Sequence, residues 1–293
     1  MIFYLNPTQF IDTSLPLDLS MPLRATADNP RAWYVDAPRI DPVRANGFVG
    51  SVAEGGAVNF RDIYFNPHGH GTHTESYGHI SREIYPVSAV FDQFFFRATL
   101  LSVAPRILDN GDRVVFADQL ESLLSGDFTE AVLIRTLPNQ QEKLTANYSG
   151  SNPCYFDVGV VALLDQLQTK HFLVDTPSVD REEDNGVLAF HHAFWNVPAD
   201  PIKDRSITEL IFVADEITDG SYLLELQLAH FQNDASPSRP LLYAINEKKD
   251  WRISPFPSSR QNCLSGASKV IRTGTSCTYS FRTLTKTIKL LSN

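Results

Sequence analysis

The sequence predicts a mixed α/β fold, and three observations carry that prediction. Apolar segments rich in Val, Ile and Phe recur between Gly, Asp and Pro turns, as strands do. One segment breaks the pattern: Val158, Val161, Leu164 and Leu167 recur at helical spacing, which reads as a helix feeding the strand HFLVD at 171–175. Helices mixed with strands along one chain point to the α/β class. The chain has 293 residues, 43% of them apolar and 20% charged, enough to bury a sizeable core in one large domain or two small ones.

Taken in order, residues 98–108, 113–120 and 131–137 read as strands. The helix over 156–170 follows, then strands at 171–177, 209–217 and 222–231. After Ile245 the pattern stops, and the chain becomes rich in Ser, Thr and Arg. From Asn246 to the end, nine Lys or Arg stand against two Asp or Glu, a local charge of about +7 that leaves about −16 on the body. The sequence thus divides into a folded domain at 1–244 and a basic tail at 245–293, expected to be poorly ordered. TLTKTIKLL at 283–291 is the competing feature, since its alternation suits an added edge strand.

An acidic body gives no footing for nucleic acid, which needs a basic face. No apolar run approaches the roughly 18 residues of a membrane-spanning helix, and the N-terminus has no basic flank of a signal peptide. Cys154, Cys263 and Cys277 are too few and too scattered for a disulfide framework or a thiolate zinc site. The expected protein is cytoplasmic, with a small-molecule substrate and no nucleic-acid or membrane partner; a homo-oligomer is left open.

The chemistry concentrates in NPHGHGTHTESYGHI, residues 66–80, which holds four of the eight histidines: His68, His70, His73 and His79, with Glu75 among them. Neutral imidazole and carboxylate suit zinc, manganese or iron. Glycines at 69, 71 and 78 allow tight turns, so these side chains can converge. The run is internal and mixed, unlike a purification tag.

This segment resembles the signature H-x-G-T-H-x-D-x-P-x-H of the cyclase family of metal-dependent hydrolases, which includes bacterial kynurenine formamidase and isatin hydrolase. Gly71, Thr72, His73 and His79 match in register, while Glu75 stands for Asp and Tyr77 for Pro. The first signature His falls on Gly69, so His68 or His70 takes its place, with His68 favoured. DLSMPL at 18–23, DTPSVD at 175–180, HHAFW at 191–195, ITELIF at 207–212 and NDASPSRPLL at 233–242 resemble further family segments in family order. The resemblance implies a swivelling β/β/α fold and one or two divalent ions, zinc first and manganese second. The implied ligands are His68 or His70, His73, Glu75, His191 and Glu209, with His192 competing for the place of His191. It also implies His79 as the general acid–base. The expected activity is arylformamidase-like cleavage of an amide, lactam or ester by metal-activated water. A metal-dependent cyclase and a non-catalytic metal-binding protein are the alternatives.

Other polar residues have simpler readings. Asp175 and Asp180 are expected to shape a turn, His171 and His230 to be packed or on the surface, and Cys154 to be inert. Phe194 and Trp195 are expected in the core or beside the site. No G-x-S-x-G elbow and no G-x-x-x-x-G-K-[ST] phosphate loop occurs.

Overall fold

The computed structural model describes residues 1–123 and 129–248. Eight strands form the main sheet: β1 (Leu17–Asp18), β2 (His73–Glu75), β3 (Phe95–Val103), β4 (Ala131–Thr136), β5 (His171–Val174), β6 (Ser206–Glu209), β7 (Gly220–Leu228) and β8 (Ala235–Ala244). Their order is β7-β3-β4-β5-β6-β2-β8-β1, and a further β7–β8 pairing closes seven of them into a barrel. Strands β3 to β6 run parallel, while β2, β7 and β8 pair antiparallel with their neighbours. Closure leaves few unpaired backbone groups in the ring.

Alternation along the strands builds two cores. Phe96, Ala98 and Leu100 of β3, Ala131 and Leu133 of β4 and Leu173 of β5 join one cluster with Leu224 and Leu226 of β7 and Leu242 of β8. The intervening Leu101, Val103, Val132, Ile134, Phe172 and Val174 join a second cluster, against helices α2 (Val160–Gln166) and α3 (Ala189–Trp195). The first fills the barrel and the second glues the helices to its outside, as a side-chain period of two requires. All six residues of β4 are buried, as expected of a parallel strand covered on both faces.

Several elements differ from the sequence-based expectation. Helix α2 begins at Val160, after a turn in which Asp157 Oδ1 accepts from Gly159 N, so Val158 stays outside it, 45% exposed. Residues 113–120 split into a strand, Arg113–Val115, and a short helix, α1 (Ala117–Glu121). The strand expected over 209–217 ends at Glu209, because Leu210 turns to φ 54°. The following Ile211, Val213 and Ile217 still pack into the barrel core.

Asn246–Glu247, assigned to the tail by composition, forms a short strand that pairs with Gln9 and Phe10. The expectations for residues 249–293, including the candidate strand at 283–291, lie outside the described residues. Among the described residues, no helix is long and apolar enough to cross a membrane.

Candidate metal centre

Sheet register assembles the site. His73 and Glu75 are two apart on β2, so both side chains face the same side. Across the antiparallel β2–β6 pair, Glu209 stands opposite His73. The strand register alone therefore brings the three side chains together, and all are buried. On the other face, the Thr74 hydroxyl bonds to Thr208 Oγ1 and Ser238 Oγ at 2.8 Å, which pins the strands together.

The chain reaches this register through two glycines. Gly71 adopts φ +127°, and a Cβ on Gly78 would lie 2.5 Å from the Tyr85 backbone. A β-carbon is excluded at the second and strained at the first. The turn at Tyr77–His79 is capped by Ser76 Oγ, which accepts from Gly78 N, and it returns His79 toward Glu75.

His191 arrives from α3. Phe190, Phe194 and Trp195 are fully buried in the helix–barrel core, which fixes the helix and sends the fourth buried side chain, His191, toward Glu75. Phe194 and Trp195 are thus core residues. His191 Nδ1 donates to Asp180 Oδ2 at 2.6 Å, and its Nε2 lies 3.1 Å from Glu75 Oε1. His192 lies on the same helix, but its Nδ1 donates to Val197 O, so the choice between the two falls on His191. The long spacing to Glu209 is absorbed by the loop between α3 and β6.

His68 completes the cluster. Its Nε2 is 2.8 Å from Asp234 Oδ2, and its Nδ1 is 3.0 Å from Glu75 Oε2, off the line of a hydrogen bond. His70 does not join, which corrects its place among the candidate ligands. Its Nδ1 accepts from Asn66 N at 2.7 Å and its Nε2 donates to Asp36 O at 2.6 Å, so both nitrogens are occupied by backbone.

Two groups of donor atoms share Glu75: His73, Glu75 and Glu209, and His68, Glu75 and His79, each within 4.8 Å. His73 Nδ1 donates to Gly71 O at 2.9 Å, leaving a bare lone pair on Nε2, 3.4 Å from Glu209 Oε2. That Nε2 and Glu75 Oε2 are buried without hydrogen-bond partners. Lone pairs facing carboxylates at such distances repel unless a cation lies between them. Nitrogen and carboxylate donors of this kind fit a divalent ion.

The electrostatics agree. Burial opposes the charged form of His191, but Asp180 and Glu75 outweigh it and raise its pKa to about 10. Burial also opposes charge on His68, and Asp234 and Glu75 raise it to about 10 as well. Burial favours a neutral Glu75, yet the His79 charge and the contacts from His191 and His68 hold it well below the usual carboxylate range. The cluster is therefore a set of anions that demands positive charge, supplied by protons or by metal.

Sequence reasoning missed Asp234 and undervalued Asp180. Asp234 sits one residue before β8, and Ser76 N donates to its backbone oxygen, which brings its carboxylate to His68 and 3.5 Å from His79 Nδ1. Next to Asn233, it carries the local signal of a turn. Asp180 orients His191 and also accepts from Phe190 N and His191 N at the start of α3. Asp175, as expected, is structural: it bonds to Thr136 and Lys143. His171 is buried against Ser206, and His230 is exposed.

Comparison with known proteins places the chain by family and by fold. The family model Cyclase matches residues 17–181, which include the His-rich segment and Asp180 but stop short of His191 and Glu209. No curated protein sequence matches the chain. Among solved structures, isatin hydrolase A from Ralstonia solanacearum superposes with TM-score 0.59 at 15% identity, over 78% of this chain and 91% of that one. An isatin hydrolase bound to the product analogue thioisatinate gives TM-score 0.56 at 11% identity, over 79% and 92%. A structure described as a potential metal-dependent hydrolase with cyclase activity gives 0.54 at 15%, over 78% and 97%. At these identities the likeness shows a common fold. With more than half of the residues matched by the family model and its fold shared with these structures, the chain belongs to the cyclase family.

Proposed function

We propose that the chain is a metal-dependent hydrolase that cleaves an amide, lactam or ester bond of a small molecule. The observation that carries this reading is the pair of buried, unpartnered atoms, His73 Nε2 and Glu75 Oε2, aimed into one cluster of imidazoles and carboxylates. A divalent ion held there by His73, Glu75, Glu209, His191 and His68, zinc first and manganese second, would acidify water and polarise the carbonyl under attack.

The protein's own groups do the rest. Asp180 and Gly71 O fix the tautomers of His191 and His73, and Val179 N donates to Glu209 Oε1 at 3.1 Å, so the donor atoms are positioned in advance. His79 is the most open imidazole of the cluster, with its side chain 32% exposed. It takes a proton from the attacking water at Nε2 and gives it to the departing nitrogen or oxygen. Asp234, beside Nδ1, stabilises the imidazolium in between. Water adds to the carbonyl carbon, the bond to nitrogen or oxygen breaks, and an acid and an amine or alcohol leave. A positioned acid–base group of this kind contributes about 10²–10⁴-fold.

The substrates to test are an N-formyl arylamine, isatin and an aryl ester, with zinc or manganese added and after chelation. Hydrolysis that chelator abolishes and metal restores supports the reading. Full activity in a metal-free preparation overturns it, and stoichiometric metal without turnover favours the non-catalytic alternative. A second arrangement rests on the proximity of His79 to Glu75 and His68: His79 as ligand to a second ion sharing Glu75.

A further inference from the structure

A cavity of about 490 Å³, within the range of small-molecule sites, lies apart from the metal centre. None of its lining residues belongs to the His/Glu cluster. Three parallel strands end at it: Ala104 follows β3, Thr136 ends β4 and Asp175 follows β5. The carboxyl ends of parallel strands are where α/β proteins place ligands. The walls are largely apolar, with Leu137, Pro138, Pro153 and Tyr148 among them.

The charges in this cavity are unequal in kind. Lys143 is neutralised by Asp175 at 2.7 Å and holds further bonds to Thr136 and Asn139. Arg113 and Glu142, which also lines the cavity, make no ion pair among the described residues; the Arg113 guanidinium has a 3.3 Å bond to Asn152 O. One unpaired guanidinium beside an apolar chamber suits an apolar molecule that carries one carboxylate.

The cavity and the metal centre share one segment, residues 175–180. Asp175 and Thr176 line the cavity, Thr176 O accepts from Leu210 N, Val179 N holds Glu209, and Asp180 holds His191. Anything that shifts the first end of this segment moves the groups that hold two ligands at the other end.

We propose that this cavity is a regulatory site for a small carboxylic acid with an aromatic or branched apolar body, bound by Arg113 and coupled to the metal centre through residues 175–180. The probe is naphthalene-1-carboxylate, with naphthalene-1-methanol as its uncharged counterpart, titrated calorimetrically into the full chain. The acid should bind one to one. Arg113→Gln should weaken the acid by about tenfold or more and leave the alcohol unchanged, because it removes one charge-assisted contact. Ala146→Phe and Ala104→Phe, two independent ways to fill the chamber, should abolish both while keeping the wild-type melting temperature. Saturating acid should shift the zinc affinity of the wild type by about fivefold or more, the usual scale of coupling between sites, and leave that of the filled variants unchanged. Acid binding that survives Arg113→Gln and both fillings, or that disappears with His73→Ala, overturns the site. An unchanged zinc affinity in the wild type overturns the coupling.

Discussion

Asp180→Asn isolates how much of the metal site is built by a residue that does not touch the metal. Asp180 accepts three hydrogen bonds: from His191 Nδ1 at 2.6 Å, from Phe190 N at 2.8 Å and from His191 N at 3.1 Å. Asparagine keeps one oxygen and replaces the other with an NH₂ that must face a donor. It also removes the negative charge that stabilises a donating Nδ1–H and keeps the Nε2 lone pair turned toward Glu75. Loss of such a carboxylate behind a histidine ligand costs about 10–100-fold in metal affinity, or about 1.4–2.7 kcal/mol. The measurement is zinc affinity by competition with a fluorescent chelator at fixed pH, with thermal melts of the same samples. A loss of affinity within that range is expected. Affinity within twofold of wild type, with a lowered melting temperature, would show that Asp180 merely caps α3, and would refute the reasoning.

Four further outcomes are expected. His79→Ala should retain stoichiometric zinc and lose about 10²–10⁴-fold in turnover; loss of zinc as well would make His79 a ligand. His70→Ala should leave zinc stoichiometry intact and cost about 1–3 kcal/mol in denaturant unfolding, because Asn66 N and Asp36 O lose their partner. His68 and His191 stand at about 10 in the metal-free fold against 6.5 when unperturbed, so the folded state holds the extra protons. Their contribution to stability is full below about 6.5 and is lost as pH rises through about 10, and melting curves in chelator should show that decline while zinc-loaded protein does not. Truncation after Ile245 should melt lower than truncation after Lys248, since it also removes the pairing of Asn246 and Glu247 with Phe10 and Gln9.

The sequence by itself determined the class of fold, the helix before β5 and the chemistry of the site. Those are local signals: the spacing of Val161 and Leu164, continued by Leu167 at the C-cap, records one helical face, and His73, Thr74 and Glu75 record two candidate ligands one strand period apart. Asp180 was legible as a residue but not as a partner, because its purpose depends on the arrival of His191 eleven residues later on a helix packed against the barrel. The tertiary structure decided between His68 and His70, two residues apart with the same side chain. Only the neighbours differ: Asp36 O and the Asn66 amide take up one ring, and Asp234 with Glu75 face the other. Those neighbours come from as far as 166 residues along the chain, brought together by the pairing of β2 with β8 in the barrel. No local pattern encodes a contact of that range, because it exists only once the strand register is set.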